Sequence, residues 1–211
     1  MCLLYGFNDY SDRVYDLSNP KKPQHFIEKI SSHATFFIIQ NILLSALCIL
    51  IGFYFLGFTK GLVLLFLFLA NMLYSKKLKS TPVFDILIVI VWGALYVTFI
   101  GQLDWLIYFT VGIMTGIAHL YQTLTDEVSD RASNIKTSAV SLPHLKFYIL
   151  LAHCVLLAVL IYIPLDIYWA FSAFLPLLVY LLTKRISISW HFSRFYFAIC
   201  WLQLLYLQYG N

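Results

Sequence analysis

Charged side chains are scarce in this chain of 211 residues. Asp, Glu, Lys and Arg together make up 11% of it, whereas 61% of the residues are hydrophobic. Soluble domains carry about 25% charged and about 45–50% apolar residues. The scarcity of charge therefore excludes an ordinary soluble domain and predicts an integral membrane protein, with no nucleic acid among its partners.

Cysteine and histidine are also few and widely spaced. The four cysteines (Cys2, Cys48, Cys154 and Cys200) show no metal-ligand spacing, and the last three lie in apolar runs, so we interpret them as buried hydrophobic residues. The six histidines form no H-x-x-x-H pair, so neither a zinc nor a haem site is expected. The segment before residue 8 is too short for a signal peptide.

Long apolar runs are what the sequence does contain. A transmembrane helix needs about 17–25 mainly apolar residues. This length predicts seven membrane spans, at residues 34–56, 61–74, 84–101, 105–123, 147–163, 168–182 and 195–209. The second and the sixth of these spans are short. The predicted fold class is an all-α, multi-pass membrane protein.

The basic residues predict the orientation of these spans. If every span crosses the bilayer, the segments 1–33, 75–83, 124–146 and 183–194 lie on one side, and they contain every basic residue except Lys60. The positive-inside rule makes that side cytoplasmic. We expect the plasma membrane of a prokaryote, with the active face toward the cytoplasm.

An acidic stretch precedes the first span. Asn8, Asp9, Asp12 and Asp16 fall within about 100° of one another on a helix, so one face carries three carboxylates and an amide. Like charges at this spacing repel unless a cation binds them, and Mg²⁺ prefers oxygen ligands. The alternative is a solvated acidic helix end.

A second acidic cluster follows the fourth span. Asp126 and Asp130 are one helical turn apart, and His119 and Gln122 continue the same polar stripe toward the membrane. Polar side chains on one face of a membrane helix usually point into a protein interior or a cavity. The stripe therefore predicts a second polar face on the cytoplasmic side.

A tyrosine and several lysines lie between the two clusters, on the same predicted side. They are Tyr74, Lys76, Lys77 and Lys79, and membrane anchoring explains these lysines about as well as a function does. Asn71 stands within the preceding apolar run. Because an amide in hydrocarbon needs a partner, we expect Asn71 to face the interior.

Two further features predict structure rather than chemistry. Gly112 and Gly116 have the G-x-x-x-G spacing that permits close contact between helices. Asp85 begins the third span, where a carboxylate suits the positive end of the helix dipole.

Together the motifs resemble the UbiA superfamily of intramembrane prenyltransferases. The chain carries N-D-x-x-D-x-x-x-D at residues 8–16 and D-x-x-x-D at residues 126–130, with the Tyr/Lys segment between them. Residues 130–137 also resemble the family's D-R-x-x-G-x-x-T run, with Asn134 in place of glycine. Asparagine tolerates the left-handed backbone, so this departure is mild.

The resemblance implies a bundle of nine transmembrane helices around a central cavity. We expect residues 1–211 to form a single domain with about seven of those helices, lacking helix one and most of helix two. A misassigned start, a fragment and a degenerate paralogue all remain open. Gln122 stands where the family often has a third acidic residue. The spacing from Tyr74 leaves open whether Lys77 or Lys79 takes the family's lysine role.

The resemblance also implies Mg²⁺-dependent transfer of a prenyl group from an isoprenyl diphosphate, through an allylic cation. The residues implied in catalysis are Asp9, Asp12, Asp126, Asp130, Tyr74 and Lys79. Those implied in diphosphate binding are Asn8, Arg13, Lys77, Lys79 and Arg131. Those implied in metal binding are Asn8, Asp9, Asp12, Asp16, Asp126 and Asp130.

The implied acceptor is a hydrophobic molecule such as a quinone precursor, a carotenoid or a similar lipid. The stretch N-P-K-K at residues 19–22 resembles carotenoid-elongating members of the superfamily. No protein partner is implied. Two alternatives remain, a terpene cyclase of the same fold and a non-catalytic truncated paralogue.

Overall fold

The computed structural model describes residues 2–17, 23–99, 104–142, 144–162 and 171–209. These ranges contain ten α-helices and no strand, which confirms the all-α prediction. The helices are α1 (Cys2–Asp16), α2 (Gln24–Ser32), α3 (Ala34–Leu56), α4 (Phe58–Lys76), α5 (Phe84–Val97), α6 (Trp105–Ala132), α7 (Ser138–Ser141), α8 (Leu145–Tyr162), α9 (Leu175–Thr183) and α10 (Ile186–Tyr209). Short 3₁₀ turns occupy Leu78–Ser80 and Ser172–Phe174. The chain divides into two compact units, Met1–Ser80 and Thr81–Asn211.

Three of the described helices are long and apolar enough to cross a membrane: α3, α4 and α8. Helix α5 is apolar but shorter, with 14 residues. Three predicted span boundaries, at residues 101, 163 and 168, lie outside the described residues. The N-P-K-K stretch at residues 19–22 lies outside them too. The count of seven spans therefore stays a prediction, and so does the single domain.

In the first unit, α1 packs against both α3 and α4. Gly6 makes the approach to α3 possible, because a Cβ atom at this position would lie 2.5 Å from the side chain of the buried Asn41. The chain turns between α3 and α4 at Gly57, whose φ of 86° suits glycine. Helix α3 exposes large apolar side chains such as Phe36 and Tyr54, as a helix surrounded by lipid tails does.

The second unit is built around α6, which packs against α5, α7, α8 and α10. Its contact with α5 is close, since a Cβ atom on Gly112 would lie 2.8 Å from the main-chain oxygen of Ile90. A Cβ atom on Gly116 would lie 2.5 Å from the Ile90 side chain. The close helix contact predicted from the G-x-x-x-G spacing is therefore confirmed. Met114 and Tyr121 of α6 and Leu156 of α8 contribute to the buried core of this unit.

The predicted burial of Asn71 and of the cysteines is confirmed only in part. Asn71 is 3% exposed, as expected, and Cys200 is buried. Cys48 and Cys154 are exposed, so their predicted burial is wrong. They lie on α3 and α8, whose apolar residues are spread around most of the helix surface, so hydrophobicity alone does not mark the side covered by protein.

Candidate functional site

The first acidic motif lies on α1, as predicted. Asp12 is its most buried carboxylate, with 6% of the residue exposed, while Asn8, Asp9 and Asp16 are half-buried. The Asn8 amide nitrogen donates a hydrogen bond of 2.9 Å to Asp12 Oδ2, one helical turn further along. The Asn8 amide and the Asp12 carboxylate therefore lie on the same face of α1.

Lys79 completes this cluster. Its Nζ lies 2.5 Å from Asp12 Oδ2, and its side chain is 25% exposed. The 3₁₀ turn that directly follows α4 positions this lysine. Lys77 is exposed. Of the two lysines left open by the sequence, the structure thus brings Lys79 to Asp12.

Tyr74 and Arg13, two further predicted site residues, lie in the first unit. Tyr74 is 8% exposed near the end of α4. The Arg13 guanidinium carbon stands 4.1 Å from the centre of the Tyr10 ring, and Arg13 Nη1 donates to the Tyr10 main-chain oxygen at 2.5 Å. Arg13 is therefore held along α1 by its own helix.

The second acidic motif lies on the last two turns of α6. Asp126 and Asp130 are half-buried, as are His119 and Gln122 of the same stripe. The Thr137 hydroxyl donates a hydrogen bond of 3.2 Å to Asp130 Oδ2. Thr137 is the last residue of the D-R-x-x-G-x-x-T-like run, so this run folds back onto its own first carboxylate.

The end of α6 explains why Asn134 is acceptable in place of glycine. Asn134 has a φ of 57°, in the left-handed region. The Ile135 N–H donates to the Asp130 main-chain oxygen at 2.9 Å, and the Asn134 N–H donates to that of Arg131 at 3.3 Å. This pair of bonds is the Schellman motif, which requires a left-handed residue after the helix. The expectation that asparagine adopts this conformation is confirmed.

Arg131 lies on a different part of the α6 surface from the two aspartates. Its guanidinium forms an ion pair of 3.1 Å with Glu127, one turn earlier. Both residues line a cavity of about 640 Å³, together with His144 and Lys146, whereas Asp126 and Asp130 do not. A role for Arg131 in diphosphate binding stays a prediction.

Asp85 makes a contact that sequence reasoning missed. It is fully buried, and its Oδ2 accepts a hydrogen bond of 2.8 Å from the Ser138 N–H. Its Oδ1 accepts from the Ser138 hydroxyl and, at 3.0 Å, from the Ile86 N–H. The Ile86 bond agrees with the expected role at a helix start. No sequence pattern links Asp85 to a serine 53 positions later.

The oxygen atoms of the first motif suit magnesium. Among the described residues no three His, Cys, Asp or Glu side chains gather around a point. Mg²⁺ is usually held by only one or two carboxylates, and waters and substrate phosphates complete its shell. The Asn8 amide and the Asp12 carboxylate are ligands of this kind. Because the Lys79 ammonium and the Asn8 amide both donate to Asp12 Oδ2, a metal binding that oxygen would compete with them.

Comparison with known proteins gives one match. The family model described as the UbiA prenyltransferase family matches residues 1–196. No curated protein and no solved structure matches the chain.

Proposed function

The chain belongs to the UbiA prenyltransferase family, and from this premise we propose that it transfers a prenyl group from an isoprenyl diphosphate to a lipid-soluble acceptor. Family membership and the apolar helices together support an integral membrane protein with prenyltransferase activity. The observation that supports the proposal most directly is the cluster of Asn8, Asp12 and Lys79, because it joins the first motif to a cation. The family match over most of the chain supports one prenyltransferase domain.

We propose that the reaction depends on Mg²⁺. The ligands proposed for it are Asn8, Asp9, Asp12, Asp16, Asp126 and Asp130. Bound Mg²⁺ would neutralise the diphosphate, which carboxylates alone repel, and stabilise its growing charge as it leaves. Lys79 is the proposed direct donor to the diphosphate oxygens, because it already binds an anionic oxygen in the first unit. Arg13, Lys77 and Arg131 remain proposed as further cations for the same group.

Transfer then requires breakage of the bond between the allylic carbon and the diphosphate oxygen. The bonding electrons leave with the diphosphate, and an allylic cation remains that water would capture. We assign its stabilisation to Tyr74, whose burial in α4 supports a ring kept away from bulk water. A well-placed aromatic ring contributes about 0.5–2 kcal/mol to binding a cation. A nucleophilic atom of the acceptor forms the new bond to the cation, and the prenylated acceptor then gives up a proton to the departed diphosphate.

The proposed acceptor is a quinone precursor, a carotenoid or a similar lipid, and the proposed active face is cytoplasmic. The test is incubation of membranes containing the protein with labelled isoprenyl diphosphates and extracted lipids, with and without Mg²⁺. We expect a prenylated lipid that forms only with Mg²⁺. A labelled cyclic hydrocarbon or cyclic alcohol formed from the diphosphate alone would indicate cyclisation, and no prenylated product with any chain length would refute prenyl transfer.

Substitutions test the two motifs separately. Asp12→Asn and Asp126→Asn should each abolish Mg²⁺-dependent turnover while the protein stays inserted and folded. Asp104→Asn is the matched control, because Asp104 caps the opposite end of α6 by accepting from the Leu106 N–H at 2.9 Å. This control should remain active. Full activity of either motif variant would show that the metal assignment is wrong.

A further inference from the structure

The fully buried carboxylate of Asp85 lies outside both acidic motifs. A buried charge is tolerated only when hydrogen-bond donors surround it. Two of the donors come from Ser138 and one from Ile86. Asp85 therefore joins the start of α5 to the start of α7, two segments that are distant in sequence.

Ser138 is also held from a second direction. Its hydroxyl oxygen accepts a hydrogen bond of 2.7 Å from the Val83 N–H. Val83 has a φ of 72°, which is unfavourable for a β-branched residue. Such a conformation persists only where surrounding contacts impose it, and it is most often found near functional sites. The turn before α5 is thus shaped to bind Ser138.

These contacts fix one end of segment 130–138, and the second acidic motif fixes the other. At the motif end, the Asp130 main-chain oxygen accepts from Ile135 and its side chain accepts from Thr137. Thr137 is 2% exposed and directly precedes Ser138. Any movement of Ser138 away from Asp85 would therefore move the hydroxyl that holds the Asp130 carboxylate.

We propose that Asp85 and Ser138 are positioning residues that hold Thr137 against Asp130 and so orient this carboxylate for its metal. The inference rests on the proposed function, in which Asp130 is a magnesium ligand. Partners of metal ligands typically contribute about 10- to 100-fold to metal affinity. A carboxylate oriented in advance binds the metal without first losing its rotational freedom.

Limited proteolysis tests the anchoring without any activity measurement. Lys136 is exposed, and trypsin cleaves the bond between Lys136 and Thr137 only when segment 130–138 opens. In detergent-solubilised protein, Asp85→Asn and Ser138→Ala should each speed this cleavage by about 5-fold or more, because each loses at least one buried hydrogen bond that keeps the segment closed. Asp104→Asn, the same change at an exposed helix cap, should leave the rate unchanged. Equal rates in Ser138→Ala and the unmodified protein would overturn the anchoring.

The dependence of activity on Mg²⁺ tests the positioning. Asp85→Asn and Ser138→Ala should raise the Mg²⁺ concentration for half-maximal activity by about 10-fold, with the KM for prenyl diphosphate measured at saturating Mg²⁺ within about 2-fold of the original. Thr137→Val removes the hydroxyl but keeps the Ser138 contacts. It should raise the Mg²⁺ requirement in the same way while Lys136 stays protected.

The two measurements separate the possible failures. Faster cleavage with an unchanged Mg²⁺ requirement would make Asp85 and Ser138 purely structural and overturn the positioning role. Should Asp85→Asn fail to fold, Ser138→Ala and Thr137→Val answer the same question. If the unmodified protein transfers no prenyl group, the proposed function fails, while proteolysis still decides whether Asp85 and Ser138 anchor the segment.

Discussion

The contact between Lys79 and Asp12 predicts that removing the lysine strengthens the binding of Mg²⁺ alone. In the substrate-free protein the Lys79 ammonium and the Asn8 amide both donate to Asp12 Oδ2, so a metal at this oxygen would compete with the ammonium group. Lys79→Met removes this competitor and one positive charge. With prenyl diphosphate present the same variant should lose turnover, because the proposed donor to the leaving group is gone.

The size of the effect follows from the burial of the pair. Asp12 is 6% exposed and Lys79 is partly buried, so solvent screens their interaction less than it screens a surface ion pair. A hydrogen bond to a charged group contributes about 1.5–3 kcal/mol. Since about 1.4 kcal/mol corresponds to a tenfold change in an equilibrium constant, the dissociation constant should fall by about 10- to 100-fold.

Titration of the detergent-solubilised protein with Mn²⁺, followed by electron paramagnetic resonance, measures this constant without substrate. Mn²⁺ is the probe, and competition with Mg²⁺ gives the affinity for the natural ion. Lys76→Met is the control, because it removes the same charge from an exposed position. An unchanged or weaker affinity in Lys79→Met, relative to that control, would show that lysine and metal do not compete for Asp12.

Three further predictions concern stability, measured by thermal unfolding in detergent. Gly112→Ala should destabilise the protein by about 1 kcal/mol or more through overpacking. The loss should be larger than for Gly116→Ala, because the new Cβ atom at position 112 would meet the Ile90 main chain, whereas the one at position 116 would meet the Ile90 side chain. A smaller loss for Gly112 would contradict the α5–α6 geometry. Asn134→Val should cost about 1–2 kcal/mol at the left-handed position after α6, whereas Asn134→Gly should be close to neutral, and equal effects would argue against the Schellman motif. Val83→Gly should stabilise by up to about 2 kcal/mol, because relief of about 1–3 kcal/mol of strain exceeds the chain-entropy cost of about 0.5–1 kcal/mol. A lower melting temperature would refute the strained turn.

The features that the sequence predicted well are local ones. The placement of residues 8–16 on one helix, the G-x-x-x-G spacing of Gly112 and Gly116 and the left-handed Asn134 each depend on residues a few positions apart, whereas the contact of Gly112 with Ile90 on α5 was not itself predicted. Helical geometry and backbone sterics determine such features, whatever the rest of the chain does. The same locality makes the family motifs recognisable from the order of the residues alone.

The contacts that escaped prediction join residues far apart in sequence. Lys79 and Asp12 are separated by 67 positions, and Asp85 and Ser138 by 53. The spacing from Tyr74 could not show whether Lys77 or Lys79 contacts the first acidic motif. That contact depends on how the 3₁₀ turn after α4 directs each lysine side chain. The exposure of Cys48 on α3 and Cys154 on α8 escaped prediction for a different reason, since lipid and protein both accept apolar residues.

Both long-range contacts use a buried carboxylate to hold a turn beside a helix end, and this shared arrangement has a physical reason. The sides of the described helices are mainly apolar, and apolar packing is non-directional, so it fixes the rotation and register of a helix only loosely. Hydrogen bonds depend steeply on distance and angle. One carboxylate in each unit, Asp12 in the first and Asp85 in the second, therefore contributes the directional constraint that apolar packing lacks. Asp12 holds Lys79 beside the first motif and Asp85 holds Ser138 beside the second, so the directional bonds lie next to the two motifs proposed to bind Mg²⁺.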